Sequence, residues 1–265
     1  MTYEEFHRRS IEDRDGFWAE QADLIDWKKP FEQVLDYSNP PFTRWFVGGE
    51  TNLCFNAVDR HLAKRADQPA LIYVSTEVDQ QKVYTYRELH TEVQRIAAVL
   101  QSLGVGNGDR VLIYMPMIPE AIFAMLATVR LGAIHSVVFG GFAAHALATR
   151  IDDAQPKVML IADAGMRGGK VIPYKHLVDE SLRLSTAPPQ IVVAVNRGLD
   201  QLSRTKKIAT STTPLCARPT WMLRCRAPLS NPTIPVISSI LPAPLANQRA
   251  CSETRGGTPS HSPPP

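Results

Sequence analysis

The sequence lacks the features that mark secreted, membrane-spanning or zinc-binding proteins. Its four cysteines, Cys54, Cys216, Cys225 and Cys251, form no C-x-x-C pair and have no neighbouring histidines, which argues against a zinc site and against a disulfide framework. No apolar run approaches the ~18 residues that a membrane-spanning helix needs. Residues 1–5 have neither the basic nor the apolar part of a signal peptide. These absences predict a soluble, globular, cytoplasmic protein.

Acidic side chains are scarce in one part of the chain. Residues 201–265 hold eight Lys and Arg but a single acid, Glu253, together with 11 of the 21 prolines. Subtracting this charge of +7 from the overall +3 leaves the first 200 residues at −4, so the chain has two compositions. Abundant Pro, Ser and Thr, with Trp221 as the one aromatic residue, predict a disordered tail over residues 207–265.

Short apolar runs alternate with amphipathic segments from Ala70 onward. Apolar and β-branched clusters predict strands at 70–74, 83–86, 111–114, 134–139, 158–161 and 191–195. Helical spacing predicts helices after the capping box Thr85-x-x-Glu88 and at 119–131, 142–153 and 174–184. This alternation is typical of a parallel sheet covered on both faces. The predicted fold class is therefore α/β, a parallel sheet flanked by helices.

Residues 1–62 precede this pattern and are predicted to form a helical lead-in. The spacing Thr2-x-x-Glu5 is a capping box, and a further helix is expected at about 52–65, after an irregular stretch rich in aromatic residues. The predicted division of the chain is a lead-in at 1–62, an α/β domain at 63–206 and a tail at 207–265.

Two glycine-containing loops follow predicted strands, where ligands usually bind in such folds. Gly140-Gly141 lacks the G-x-G-x-x-G pattern, which argues against a dinucleotide-dependent oxidoreductase, and a tight turn with positive φ is the simpler interpretation. The loop at 163–170 places Arg167 and Lys170 around two bare glycines. Two cations and accessible backbone amides suit a phosphate, and a solvated basic loop is the alternative.

A longer stretch, residues 44–61 with the sequence RWFVGGETNLCFNAVDRH, resembles the corresponding segment of acetyl- and propionyl-CoA synthetases. The similarity continues through TYREL at 85–89, GDRV at 108–111, YMPMIPE at 114–120 and HSVVFGGF at 135–142. Residues 1–200 therefore resemble short-chain acyl-CoA synthetases of the adenylate-forming superfamily, with details nearer to propionate-CoA ligases.

This resemblance implies a ligase that works in two steps. ATP, with Mg²⁺, and a short carboxylate such as propionate or acetate give an acyl adenylate and diphosphate, and CoA then gives acyl-CoA and AMP. In such enzymes the loop that matches Arg167, Gly168, Gly169 and Lys170 contacts the phosphate-bearing adenosine end of CoA. Acetyl-CoA synthetases commonly carry Arg at the position of Lys170, and Lys supplies the charge without a bidentate fork.

The resemblance stops after Asp200, where the family's phosphate loop, typically Y-T-S-G-T-T-G-K-P-K-G, should follow. Codons for residues 236–251 can be chosen so that reading from the third base gives Y-I-L-Y-T-S-G-T-T-G-K-P-K-G-V. This predicts that residues 207–265 are translated in a different frame, with the slip near Lys206-Lys207. Since the catalytic residues of the family lie beyond the match, none is assigned, and the chain is predicted to be an inactive fragment.

One alternative function is a non-catalytic α/β binding module whose basic tail contacts a polyanion. The tail lacks interleaved aromatic residues and clustered basic runs, which argues against nucleic acid. His61 and His135 have no partner at metal-ligand spacing and are interpreted as packed or surface histidines. Asp109 is expected to shape the turn before a strand.

Overall fold

The computed structural model describes residues 1–200 and two short strands, Ile208–Ser211 and Ile234–Pro235. The α-helices of the described residues are α1 (Tyr3–Glu12), α2 (Arg14–Ala22), α3 (Leu53–Ala57), α4 (Leu62–Arg65), α5 (Tyr86–Ser102), α6 (Pro119–Arg130), α7 (Ala144–Ala154) and α8 (Lys175–Leu184). The strands are β1 (Gln33–Asn39), β2 (Phe42–Val47), β3 (Glu50–Thr51), β4 (Pro69–Ser75), β5 (Gln80–Thr85), β6 (Arg110–Met115), β7 (Ile134–Phe139), β8 (Val158–Ala162), β9 (Ala164–Arg167), β10 (Lys170–Pro173), β11 (Ile191–Val195), β12 (Ile208–Ser211) and β13 (Ile234–Pro235).

A parallel sheet of five strands, ordered β12-β11-β8-β6-β7, forms the centre of the molecule. Every residue of β8 is buried, as are five of the six residues of β6. Strands buried on both faces read as continuous apolar runs, which is why periodicity predicted them correctly. The α/β fold class and the parallel sheet are confirmed.

Helices flank this sheet in two packed pairs, α5 with α6 and α7 with α8. The chain moves from β6 to β7 in one direction along the sheet and then returns past β6 to β8. Because parallel crossovers are right-handed, this reversal places α6 and α7 on opposite faces. The strands β6 and β8, which lie side by side, therefore send their connections to opposite faces. We call the position between their carboxyl ends, where open α/β sheets usually bind ligands, the crevice.

The lead-in contains more structure than the sequence indicated. The capping box at Thr2 and Glu5 forms as predicted and starts α1. The aromatic stretch predicted to be irregular is an antiparallel hairpin, β1 with β2. The single helix predicted at 52–65 is wrong: α3 ends at Ala57, a 3₁₀ turn spans Asp59–His61 and α4 is separate.

Side-chain contacts explain where that helix breaks. Val58 leaves helical geometry, with φ −128° and ψ −62°, and Asp59 follows it in the 3₁₀ turn. The Asp59 carboxylate forms a two-point ion pair with Arg130, at 2.6 and 2.8 Å, at the end of α6. A continuous helix through Val58 would break the ion pair between Asp59 and Arg130. Tertiary contacts of this kind outweigh local helix propensity.

Strands β12 and β13 lie in the part of the chain for which the sequence predicts a disordered tail. β12 extends the parallel sheet beside β11, and β13 pairs with β3. The other residues of 207–265 lie outside the described residues, so disorder there stays a prediction.

Candidate functional site

The residues at 163–170, predicted to be a loop, instead form most of an antiparallel hairpin. β9 pairs with β10 in register, Arg167 facing Lys170 and Ala164 facing Pro173. Gly168 and Gly169 form the two-residue connection, with φ of +57° and +75°. Positive φ at both central positions is the requirement of the hairpin turn whose twist matches the strands. We call β9, β10 and this turn the cationic hairpin.

Arg167 and Lys170 face each other across the first pair of this hairpin, and both side chains are exposed. Neither has an acidic partner among residues 1–200. Like charges directly opposite each other destabilise a strand pair. An anion bound between the two cations would attract both and offset their mutual repulsion. A Cβ at Gly168 or Gly169 would meet no atom within 4 Å, so an anion can reach the turn from solvent.

The cationic hairpin stands at the crevice of the sheet. It follows β8 directly, and β8 lies beside β6 where the connections diverge to opposite faces. In open α/β sheets this is the usual ligand position. The fold thus carries the four predicted site residues, Arg167, Gly168, Gly169 and Lys170, to the edge at which open α/β sheets usually bind ligands.

Asp163 fixes the base of the hairpin and is fully buried. Its Oδ2 accepts backbone N–H bonds from Arg197 and Leu199 at 3.0 and 2.9 Å. Its backbone carbonyl accepts from the N–H of Tyr174, and its own N–H donates to Val195. A buried carboxylate is tolerated because backbone donors satisfy it. This role of Asp163 was not predicted, and the signal that could have indicated it is an acid directly after a buried strand.

Tyr174 lies behind the hairpin, and only 2% of its surface is exposed. Its hydroxyl oxygen is wedged between two glycines: a Cβ built on Gly165 would lie 2.2 Å from that oxygen, and one on Gly140 2.3 Å. Its ring packs on Tyr114 with centroids 4.9 Å apart. Burial and the neighbouring Tyr114 raise the pKa of Tyr174 to about 12.

The Tyr114 hydroxyl stabilises the turn at Gly140-Gly141, after β7. It accepts the N–H of Gly141 and donates to the carbonyl of Phe142, both at 3.1 Å. Gly141 has a φ of +105°, which confirms the predicted tight turn with positive φ. At Gly140 the glycine is needed for a different reason, because Tyr174 leaves no space for a side chain.

The opposite edge of the sheet holds charges that are paired with one another. The Asp109 carboxylate accepts from Lys157 Nζ and from the N–H of Gly106, both at 2.9 Å, and these contacts lower the pKa of Asp109. The Arg110 guanidinium donates to the carbonyls of Ala154 and Gln155. Asp109 thus shapes the turn before β6.

Asp59 is the most strongly paired acid at that edge. Burial raises the pKa of Asp59, but hydrogen bonds from His90 and Arg130 outweigh it and bring the value to about 2. Asn52 adds to the same junction by donating to the carbonyls of Val129 and Arg130, at the end of α6. These contacts join the lead-in to the sheet.

The two histidines considered from sequence lie outside the crevice. His61 packs on the ring of Tyr86, with centroids 5.1 Å apart. Burial lowers the pKa of His135, whose Nδ1 has no hydrogen-bond partner in the part of the chain that the structure describes. Within the same residues there is no group of three or more His, Cys, Asp or Glu side chains that could hold a metal, and no helix long and apolar enough to cross a membrane.

Comparison with known families places this arrangement in an enzyme class. The family profile described as "AMP-binding enzyme" matches residues 58–228, and the profile described as "Acetyl-coenzyme A synthetase N-terminus" matches residues 3–57. The chain belongs to the family of AMP-binding enzymes.

Two curated relatives show which enzymes the chain is similar to and over what length. The chain is 55% identical to propionate-CoA ligase of Escherichia coli strain K12 over 204 residues, which are 77% of this chain and 32% of the relative. It is 52% identical to acetyl-coenzyme A synthetase of Thiobacillus denitrificans over 184 residues, which are 69% of this chain and 28% of the relative. It spans about a third of the length of these curated relatives.

A solved structure supports the fold. Acetoacetyl-CoA synthetase from Streptomyces lividans superposes with a TM-score of 0.72 at 28% sequence identity, over 86% of this chain and 33% of that one. The parallel sheet and its flanking helices are thus the arrangement found in an acyl-CoA synthetase.

Proposed function

We propose that the chain is the N-terminal part of a cytoplasmic, AMP-forming short-chain acyl-CoA synthetase that activates propionate. The support is the 55% identity to propionate-CoA ligase together with the two profile matches, which follow one another along the chain. In the whole enzyme a carboxylate oxygen would attack the α-phosphorus of ATP, with Mg²⁺ bound to the nucleotide, and release diphosphate. The thiol of CoA would then attack the acyl carbon and release AMP.

The cationic hairpin is the part of this reaction that the chain itself would supply. We assign Arg167, Gly168, Gly169 and Lys170 to the phosphate-bearing adenosine end of CoA. The observation that carries this assignment is the pair of opposed, exposed cations without an acidic partner among residues 1–200. Arg167 would bind two phosphate oxygens with its planar fork, and Lys170 would act as a point charge.

Activation of the carboxylate needs groups that the described residues do not contain. A glycine-rich loop usually holds the triphosphate with its backbone amides. The corresponding residues would be encoded in the second reading frame of 236–251. The chain as written is therefore proposed to bind CoA weakly and to form no acyl-CoA.

Titration calorimetry tests the assignment of the hairpin. Replacing both cations, Arg167→Ala with Lys170→Ala, should weaken CoA binding by about 10- to 100-fold, because charged hydrogen bonds to phosphate are lost. The matched control is Lys64→Ala with Arg65→Ala, which removes two exposed cations of α4 that form no ion pair within residues 1–200. This control should leave the affinity unchanged.

Dephospho-CoA, which lacks the 3′-phosphate, provides a second arm. It should bind the native chain more weakly than CoA and should bind the Arg167/Lys170 double variant about as weakly as CoA does. Equal affinity of the native chain for both ligands, or an equal loss in the α4 control, contradicts the assignment.

A further inference from the structure

We infer that Tyr174 is a positioning residue that holds the cationic hairpin at a fixed angle over the crevice, with Tyr114 as its support. The inference rests on the proposed function, because a fixed angle has value only if the hairpin binds a ligand. Tyr174 itself lies behind the hairpin and forms no part of the exposed tip.

Tyr174 fills the space between the hairpin and the neighbouring loop. The hydroxyl oxygen of Tyr174 occupies the space in which side chains of Gly140 and Gly165 would stand, at 2.3 and 2.2 Å from their Cβ positions. Gly165 belongs to β9, and Gly140 belongs to the turn after β7. The same oxygen atom therefore lies against both the hairpin and the neighbouring loop, where it would oppose their approach to each other.

Tyr174 is itself held in place by its neighbours. The Tyr174 ring packs on Tyr114, whose hydroxyl is fixed by two hydrogen bonds to the Gly141 turn. The backbone N–H of Tyr174 donates to Asp163, the buried acid at the hairpin base. The tyrosine is thus held from two sides, by the turn after β7 and by the start of the hairpin.

The Tyr174 hydroxyl acts by contact. It forms no hydrogen bond to the described residues, and its close neighbours are the two glycines. The oxygen is therefore explained by the contact it makes with the two glycines rather than by a bond that stabilises the fold.

Limited trypsin digestion of the full chain without ligand is the direct test, because trypsin cuts after Arg167 and after Lys170. Mass spectrometry follows these two cuts, and cleavage after Arg44, exposed on β2, serves as the internal reference. Tyr174→Leu should accelerate the hairpin cuts about tenfold relative to the reference, and Tyr174→Phe about threefold, because local opening becomes easier when a packing contact is lost.

Two matched variants separate positioning from general stability. Tyr84→Leu removes a buried tyrosine of β5 that contacts Phe123, and it should change both cleavage sites equally. Gly165→Ala should loosen the hairpin selectively, whereas Gly106→Ala, where a Cβ meets nothing within 4 Å, should not. If Tyr174→Leu does not fold, Tyr174→Phe and Gly165→Ala decide the question.

Equal acceleration at Arg44 and at the hairpin in every Tyr174 and Gly165 variant would overturn the inference, and so would no acceleration at all. Because this assay contains no ligand, its result is independent of whether the hairpin binds CoA. CoA affinity is measured separately: Tyr174→Phe should weaken it about threefold with an unchanged melting temperature, since only the orientation of the tip is altered. Absence of CoA binding by the native chain would contradict the proposed function and leave the digestion result to judge Tyr174.

Discussion

The two edges of the parallel sheet use charge in different ways. At the amino edge, where the strands begin, Asp109 is paired with Lys157 and Asp59 with Arg130. At the carboxyl edge the buried Asp163 is satisfied by backbone N–H groups, and the cations Arg167 and Lys170 have no acidic partner among residues 1–200. Charges that satisfy one another hold connections together, whereas charges left without an internal partner are available to a ligand.

The glycines show where open space lies at the two edges. Gly132, at the amino edge, lies close to the Asn107 side chain, which a Cβ would meet at 2.7 Å. Gly168 and Gly169, at the carboxyl edge, have open space around them. Gly106 at the amino edge is open as well, and Gly140 and Gly165 at the carboxyl edge are crowded by Tyr174, so the open space belongs to the tip of the cationic hairpin rather than to the whole edge.

Restoring the reading frame, and with it the phosphate loop, should have the largest effect, because it should give the chain enzymatic activity. Codons for residues 236–251 can be chosen so that the third-base frame encodes the phosphate loop, and we therefore expect that adding one nucleotide or removing two near codons 206–207 restores a longer frame. We expect no propionyl-CoA from the 265-residue chain and measurable AMP release with propionate, ATP and CoA from the corrected one. Turnover by the uncorrected chain above a mock preparation, or codons that do not encode the loop, would contradict this account.

Breaking the strongest pair of the amino edge should have the next largest effect. Asp59→Ala leaves the Arg130 guanidinium, 13% exposed, without its acid, and removal of one partner from a buried pair costs ~3–5 kcal/mol. Urea unfolding measures the loss. As a control, Asp67→Ala removes an exposed pair with Arg87 and should cost less than ~1 kcal/mol. Equal costs would show that burial of the Asp59 pair contributes nothing.

The same carboxylate predicts a dependence on pH. The pKa of Asp59 is about 2 when folded and 3.8 for an unperturbed aspartate, so its contribution is fully present above pH 3.8 and disappears as the pH falls through 2. The difference corresponds to roughly 2 kcal/mol. The gap in unfolding free energy between the native chain and Asp59→Asn should therefore shrink between pH 5 and pH 2.5. A gap that stays constant over that range would show that the pKa of Asp59 is not lowered.

Breaking the pair of Asp109 with Lys157, also at the amino edge, should cost less unfolding free energy. Asp109→Ala removes the acceptor of the Gly106 N–H and the partner of Lys157, which are both partly exposed, so we expect a cost of about 1 kcal/mol. CoA affinity should not change, because this edge lies at the far end of the strands. A loss of affinity as large as that of the Arg167/Lys170 variant would remove the distinction between the edges.

Periodicity predicted the central sheet well because its strands are buried on both faces. The predicted strand at 191–195 and the predicted helix at 174–184 differ from β11 and α8 by at most one residue at either end. The cationic hairpin was predicted as a loop because strands of four residues are too short to show alternation. The adjacent glycines Gly168 and Gly169 were the available signal, since paired glycines are typical of two-residue hairpins.

The candidate site was predictable in its charges but not in its support. Arg167 and Lys170 stand out in the sequence because they flank two glycines. Asp163 carried a signal as an acid directly after a buried strand, but the role of Tyr174 could not be assigned, since it depends on contact with Gly140, which is distant in the sequence. Such contacts arise only when the strands are brought together.

The difference between the edges is tested most directly by the rise in melting temperature that CoA causes. Ligand binding to the folded state raises the melting temperature by an amount that grows with the logarithm of the ligand concentration divided by Kd, so at equal affinity the native chain and Asp109→Ala should show a similar rise from different starting values. The double variant Arg167→Ala with Lys170→Ala should start near the native melting temperature and show little or no rise. A full rise in that double variant, or its loss in Asp109→Ala, would contradict the assignment of the carboxyl edge to ligand and the amino edge to stability.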